Sequence, residues 1–177
     1  MRLIVTTGTT RKLIDDVLAC RLDAAFVAGP LSQPDLDQTP FITEELILAT
    51  APNIRTGETL RACTNLRTIV FQSGCSYRQR LEAHLAQLGL VTAEPLKFGS
   101  LEAIISSVSA GVGVTLLPRA ILASAAREGR SALHDLPRGA ARVETLMIQR
   151  RDAYASSALT AFRDRVRAHY LESRDTS

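Results

Sequence analysis

Three short stretches of the chain gather small hydroxyl residues and glycine: Thr6-Thr7-Gly8-Thr9-Thr10, Ser73-Gly74-Cys75-Ser76 and Gly99-Ser100. Two kinds of chemistry fit them. The first is nucleophilic, with Cys75 as the thiol. A thiol nucleophile needs a base, and the nearest histidine downstream is His84. Nine residues of helix turn roughly 900° and rise about 13 Å, which sets the two on opposite faces, too far apart to share a proton. A helix start would lower the thiol pKa, yet nothing in the spacing brings His134 or His169 to it. Ser73 and Ser76 lack the G-x-S-x-G elbow that exposes a nucleophilic serine. The run Gly111-Val112-Gly113 is missing the third glycine of a dinucleotide fingerprint, and Gly8-Thr9-Thr10 lacks the lysine of a phosphate loop. The three histidines are far apart and no carboxylate cluster joins them, so no metal site is indicated. No catalytic residue, metal or cofactor is expected.

The second chemistry is a backbone cradle. A helix start leaves free N–H groups pointing outward, and such ends favour anions. A charge–dipole contact there contributes about 0.3–1 kcal/mol when exposed and up to ~2 kcal/mol when partly buried. In open parallel sheets, ligands sit beyond the carboxyl ends of the strands. The plain alternative is that these residues only cap their helices, since Ser, Thr and Gly are favoured at any helix start.

The elements that must position these stretches follow from periodicity. Arg2–Thr6 reads as a short strand. Leu13, Ile14, Val17 and Leu18 recur at helical spacing, so a helix is expected over about 10–20. Leu22–Gly29 reads as a buried strand, and 30–40, with three prolines, as a loop. Residues 41–50 form a strand pair or one long bent strand, with a short helix near Leu60. Thr68–Phe71 is a strand. The helix from Ser76 carries Tyr77, Leu81, Leu85 and Leu88 on one stripe, with Gly89 as its stop. Pro95–Phe98 is the next strand. Leu101, Ile104, Ile105 and Val108 mark another helix, and Gly113–Pro118 a strand. A short helix runs to about Arg127, and strands are expected at 131–137 and 142–149. A last helix, about 156–170, buries Leu159, Phe162, Val166 and Tyr170. Alternation of this kind predicts an α/β protein with a largely parallel sheet, in which the block from Thr68 to Leu136 is inserted into a first unit.

Composition sets the outer limits. The chain has 177 residues, 46% hydrophobic and 22% charged, with net charge +3 and pI near 9.0. That is an ordinary globular balance. Arg150, Arg151, Arg163, Arg165, Arg167 and Arg174 crowd the C-terminal part and read as a solvated helix face, not a nucleic-acid surface. Cys20, Cys63 and Cys75 are odd in number and have no C-x-x-C spacing, which argues against a disulfide framework and for a reducing compartment. No stretch has signal-peptide character or the ~20 apolar residues that cross a bilayer. A cytoplasmic location without membrane association is expected.

Four segments, "CRLDAAFVAGP", "FQSGCSYRQRLEAHLAQLG", "FGSLEAIISSVSAGVGVTLLP" and "SSALTAFRDRV", occur in an order and spacing that resembles the effector-binding domain of LysR-type transcriptional regulators. The resemblance covers nearly the whole chain. It implies a type 2 periplasmic-binding-protein fold of two Rossmann-like α/β lobes, the first 1–66 plus 140–177 and the second 67–139. The lobes would be joined by crossovers near 69–71 and 136–142, with a small-molecule effector in the cleft between them. By position, Thr7, Gly8 and Thr9 correspond to effector contacts of the first lobe. Ser73, Gly74, Cys75 and Ser76, with Phe98, Gly99 and Ser100, correspond to those of the second. Ala28 falls where some relatives carry an arginine that pairs a carboxylate, which weakens the case for an acidic effector.

The resemblance also implies a homodimer or tetramer assembled through the first lobe, and DNA binding only through a helix-turn-helix that this sequence does not contain. The family's first strand and helix are expected to be missing, with Met1 where the second strand begins, and a lower stability or association would follow from the gap. A type 2 solute-binding protein, a small thiol enzyme using Cys75, and a fragment of a regulator without function are the competing expectations.

Overall fold

The computed structural model describes residues 3–71, 76–153 and 156–175. The chain divides into two compact units, residues 1–42 with 144–177, and residues 43–143.

In the first unit, α1 (Thr10–Leu18) starts at Thr9 and leads through a turn to β1 (Ala25–Ala28). β1 pairs antiparallel with β7 (Arg142–Arg150), Ala25 opposite Ile148 and Ala28 opposite Thr145. The spacing of Ile14 and Val17 puts both on one face of α1. That face meets Ala25, Val27, Leu36, Leu146 and Ile148 in one apolar cluster. The other side of β1 carries Phe26, whose ring lies 4.5 Å from that of Phe41 and 6.4 Å from that of Phe162 on α7 (Ser157–Asp175). Asp16 is a buried carboxylate on α1 held by Lys12 at 2.5 Å and Arg21 at 2.7 Å. These cations hold its pKa below the ordinary carboxylate value.

The second unit takes up the far half of β2 (Leu36–Thr50), which pairs antiparallel with β5 (Thr115–Pro118) and with β6 (Ala132–Asp135). β3 (Arg67–Phe71) pairs in parallel with β4 (Ala93–Phe98), and the crossover between them is α3 (Ser76–Gln87). α2 (Gly57–Arg61), α4 (Leu101–Ser109), α5 (Arg119–Arg127) and α6 (Arg138–Ala141) complete the unit. Ile47, Ala49, Ile69, Ile104, Ile105, Val108, Leu117, Leu122 and Ala125 form its core.

Two glycines set close geometry. Gly89 ends α3 at φ +74, where a side chain would be strained, and lets the Leu90 amide reach back to the Leu85 carbonyl at 2.9 Å. Gly113 is required by contact. A Cβ there would stand 2.3 Å from the Arg67 carbonyl oxygen, at the point where Thr68 and Val114 form a parallel bridge.

Several sequence expectations change. Leu3–Thr6 forms no strand; Leu3, Ile4 and Val5 are 53%, 71% and 74% exposed. A β-branched run becomes a strand only with a ladder partner, and among the described residues none pairs with it. β2 begins at Leu36, inside the expected loop, because Pro40 falls in an exposed stretch of the strand. Of the described pairings, only β3–β4 and the Thr68–Val114 bridge are parallel, whereas a largely parallel sheet was expected. The long strand β2 meets β5 and β6 running the other way, while β3 and β4, joined by α3, run in parallel. α6 was not foreseen. Leu159, Phe162 and Val166 are half-buried instead of fully buried, and the Tyr170 side chain lies outside the described positions.

The unit boundaries also differ from the expected lobes. Residues 43–66 and 140–143 pack in the second unit, since Ile47 and Ala49 of β2 belong to its core. The chain changes units within β2, between Ile42 and Thr43, and within β7, between Val143 and Glu144.

His84, on the inner side of α3, is 7% exposed and its Nδ1 has no partner among the described residues. Burial lowers its pKa below the ordinary 6.5. The unfolded chain therefore takes up a proton below pH 6.5 that the folded chain refuses, so stability is full above 6.5 and falls below it. The urea midpoint is expected to decline more steeply below pH 6.5 in the native sequence than in His84→Leu; equal slopes would mean that His84 titrates alike in both states.

Candidate functional site

The expected contacts sit at helix starts whose local reasons for folding are visible. Thr9 has extended backbone (φ −74, ψ 154), and its hydroxyl accepts from the Lys12 amide at 3.2 Å, so it caps α1. Thr7 and Gly8, just before it, are exposed. Gly8 is not demanded by space, since a Cβ there would meet side chains of Lys12 and Leu13 at an ordinary 3.5 Å. Ser100 caps α4 in the same way, accepting from the Ala103 amide at 3.2 Å. Gly99 and Ser100 are exposed, and Phe98 is half-buried against the core of the second unit. Ser76 is the first residue of α3. Ser73, Gly74 and Cys75 lie outside the described residues.

The parallel register brings the ends of two strands together. Val70 stands opposite Lys97 and Phe71 opposite Phe98, so β3 and β4 end side by side. α3 and α4 then start from neighbouring strand ends, and Ser76 and Ser100 belong to one end of the second unit. Thr7, Gly8 and Thr9 belong to the first unit.

The charges at these starts are unusual. Neither α1 nor α3 has an acidic residue in its first turn. Arg11 and Lys12 occupy that turn in α1, and Arg78 in α3. Helix dipoles favour the opposite pattern, which α4 shows with Glu102. Lys12 and Arg78 pair one turn further on, with Asp16 at 2.5 Å and Glu82 at 2.7 Å. The first-turn amides of α1 and α3 thus have no acid competing for them within their own turn.

A small hollow with room for about one water opens beside the start of α3, lined by Val70, Phe71, Tyr77, Arg78, Leu81 and the β5 residues Thr115–Leu117. Its polar side chains are already engaged: Thr115 donates to the Ile69 carbonyl at 2.7 Å and Arg78 to Glu82.

The sequence pattern missed one contact here. The Tyr77 hydroxyl donates to Glu44 Oε2 at 3.4 Å. Glu44 is half-buried on β2 between exposed Thr43 and Glu45. Strand alternation was the signal that could have singled it out. His134 and Cys63 are engaged in local hydrogen bonds. The His134 ring bonds Thr50 and the Ile54 carbonyl, both at 2.9 Å. Cys63 donates to the Thr59 carbonyl at 3.3 Å. No group of His, Cys, Asp and Glu among the described residues could hold a metal ion.

Comparison with known proteins places this arrangement. Residues 1–171 match the LysR substrate binding domain. The chain belongs to that family. This LysR substrate-binding domain is 39% identical over 166 residues to the HTH-type transcriptional regulator GltR of Bacillus subtilis (strain 168), covering 94% of this chain and 56% of that one. It is 35% identical over 160 residues to the HTH-type transcriptional regulator SoxR of Arthrobacter sp. (strain TE1826), covering 90% and 54%. It spans about half the length of the curated relatives it matches.

Among solved structures it is similar to the effector binding domain of QuiR in complex with shikimate, with TM-score 0.69 and 19% identity, covering 89% of this chain and 76% of that one. It is also similar to the Synechocystis PCC6803 CcmR regulatory domain in complex with 2-PG, with TM-score 0.71 and 17% identity, covering 90% and 79%. At those identities the likeness shows the fold, which is the type 2 periplasmic-binding-protein fold of LysR regulatory domains. Among the described residues of this LysR domain, no helix is long and apolar enough to cross a membrane.

Removing either capping hydroxyl tests the local reading. Thr9→Ala and Ser100→Ala are each expected to lower stability by about 1 kcal/mol in urea unfolding, while Thr9→Ser and Ser100→Thr keep most of it. Unchanged midpoints in the alanine variants would contradict the capping roles.

Proposed function

We propose that this chain is the small-molecule sensing part of a bacterial LysR-type transcriptional regulator and that it acts by binding, not by catalysis. The observation that carries the reading is the family match over residues 1–171. An effector is held in a cleft between two lobes, against Thr7, Gly8 and Thr9 on one side. On the other side are the segment Ser73-Gly74-Cys75-Ser76 and Phe98, Gly99 and Ser100. The side-by-side ends of β3 and β4 support this, because they bring the starts of α3 and α4 to one place. The acid-free first turns of α1 and α3 favour an anionic group on the effector.

The effector's work is a shift of population. Moving a two-state protein from 1:99 to 99:1 takes ~5.5 kcal/mol of preference for one state. Hydrogen bonds to an ionised ligand are worth about 1.5–3 kcal/mol each, so a few contacts made in only one arrangement suffice. In the intact regulator, a homodimer or tetramer formed through the first lobe, that preference changes how helix-turn-helix segments outside this sequence engage DNA. The protein works in the cytoplasm.

Calorimetric titration with carboxylate and phosphate metabolites, shikimate and 2-PG among them, is expected to find a compound that binds. Thr9→Ala, Ser76→Ala and Ser100→Ala should each weaken it by about tenfold or more. Unchanged affinity in all three variants would overturn the assignment of these residues.

A further inference from the structure

We propose that Tyr77, anchored by Glu44 of β2, is a positioning residue for the first turn of α3, an inference that rests on the effector reading above. The turn in question begins at Ser76, and Tyr77 is its second residue. The ring packs against the core of the second unit and helps line the hollow beside Phe71 and Arg78. Phenylalanine would serve that packing equally well. The hydroxyl adds a contact with the Glu44 carboxylate at 3.4 Å.

Glu44 is placed for this task. Thr43 and Glu45 on either side of it are exposed, while Glu44 is half-buried. Glu45 bonds Arg119 at 3.0 Å across to the start of α5. A carboxylate turned inward needs donors, since burying it without them is costly. Tyr77 is one such donor. Glu44 is also the second residue of the second unit, reached just after the chain crosses between Ile42 and Thr43. The contact therefore ties the start of α3 to the strand by which the chain enters this unit. A shift of the α3 turn is felt at β2 through two side chains, and the turn is held at a fixed place relative to that strand.

The contact is long for an O–H···O bond, so its effect is modest. Hydrogen exchange of the amides in the first turn of α3, followed on the full chain without any ligand, reads it directly. Tyr77→Phe is expected to speed exchange there by roughly threefold and to leave the first turn of α4 unchanged. Glu44→Ala should do the same, Glu44→Gln should restore slow exchange by keeping an acceptor, and the double variant Tyr77→Phe with Glu44→Ala should exchange no faster than either single one. Unchanged exchange in Tyr77→Phe, additive effects in the double variant, or failure of Glu44→Gln to rescue would each overturn the proposal. Because no effector is used, such a result leaves the sensing reading standing, and failure of the calorimetric test leaves this contact standing as a purely structural strap.

Discussion

The parallel pairing of β3 with β4 is the constraint on which the second unit's part of the proposed site depends. Phe71 opposite Phe98 makes both strands stop at one level, and α3 and α4 are the helices that follow them. On its other side β3 is approached closely by the segment that leads into β5. Gly113 lies so near the Arg67 carbonyl that any side chain would collide with it, and the Thr68–Val114 bridge sits next to that point. The core of the second unit, from Ile47 to Ala125, is built by β2, β3, α4, β5 and α5.

Several polar side chains, buried and exposed, tie neighbouring elements together. Asp16 gathers Lys12 and Arg21 at the end of α1. Arg119 ties Glu45 of β2 to Asp135 of β6. Thr50, His134 and the Ile54 carbonyl close a further loop. Each of these side chains is engaged in a contact within its own unit. The helix starts differ, because the first turns of α1 and α3 carry cations where acids would be the stabilising choice.

Local signals made the site's helices legible. The Leu13-Ile14-Val17 and Ile104-Ile105-Val108 spacings, with Thr9 and Ser100 ahead of them, locate α1 and α4 to within a residue or two, because a cap and an apolar stripe are written in adjacent residues. What was not legible depends on partners distant in sequence. Leu3–Thr6 has the composition of a strand but no ladder partner among the described residues. The prolines before Phe41 read as a loop, yet Pro40 is tolerated in the exposed part of β2. The place of residues 43–66 could not be read from alternation, because Ile47 and Ala49 are core residues of either unit until β5 is seen beside them. Alternation could have marked Glu44 as inward-facing, but not its contact with Tyr77, 33 positions away.

The central claim is that outward-facing amides at three helix starts grip one small effector. NMR titration of the backbone amides with a compound that binds tests it most directly. The account predicts that resonances of 9–12, 76–78 and 100–103 shift together and saturate at the same concentration. A bound compound that moves none of them, or that moves only resonances of α7, would contradict it.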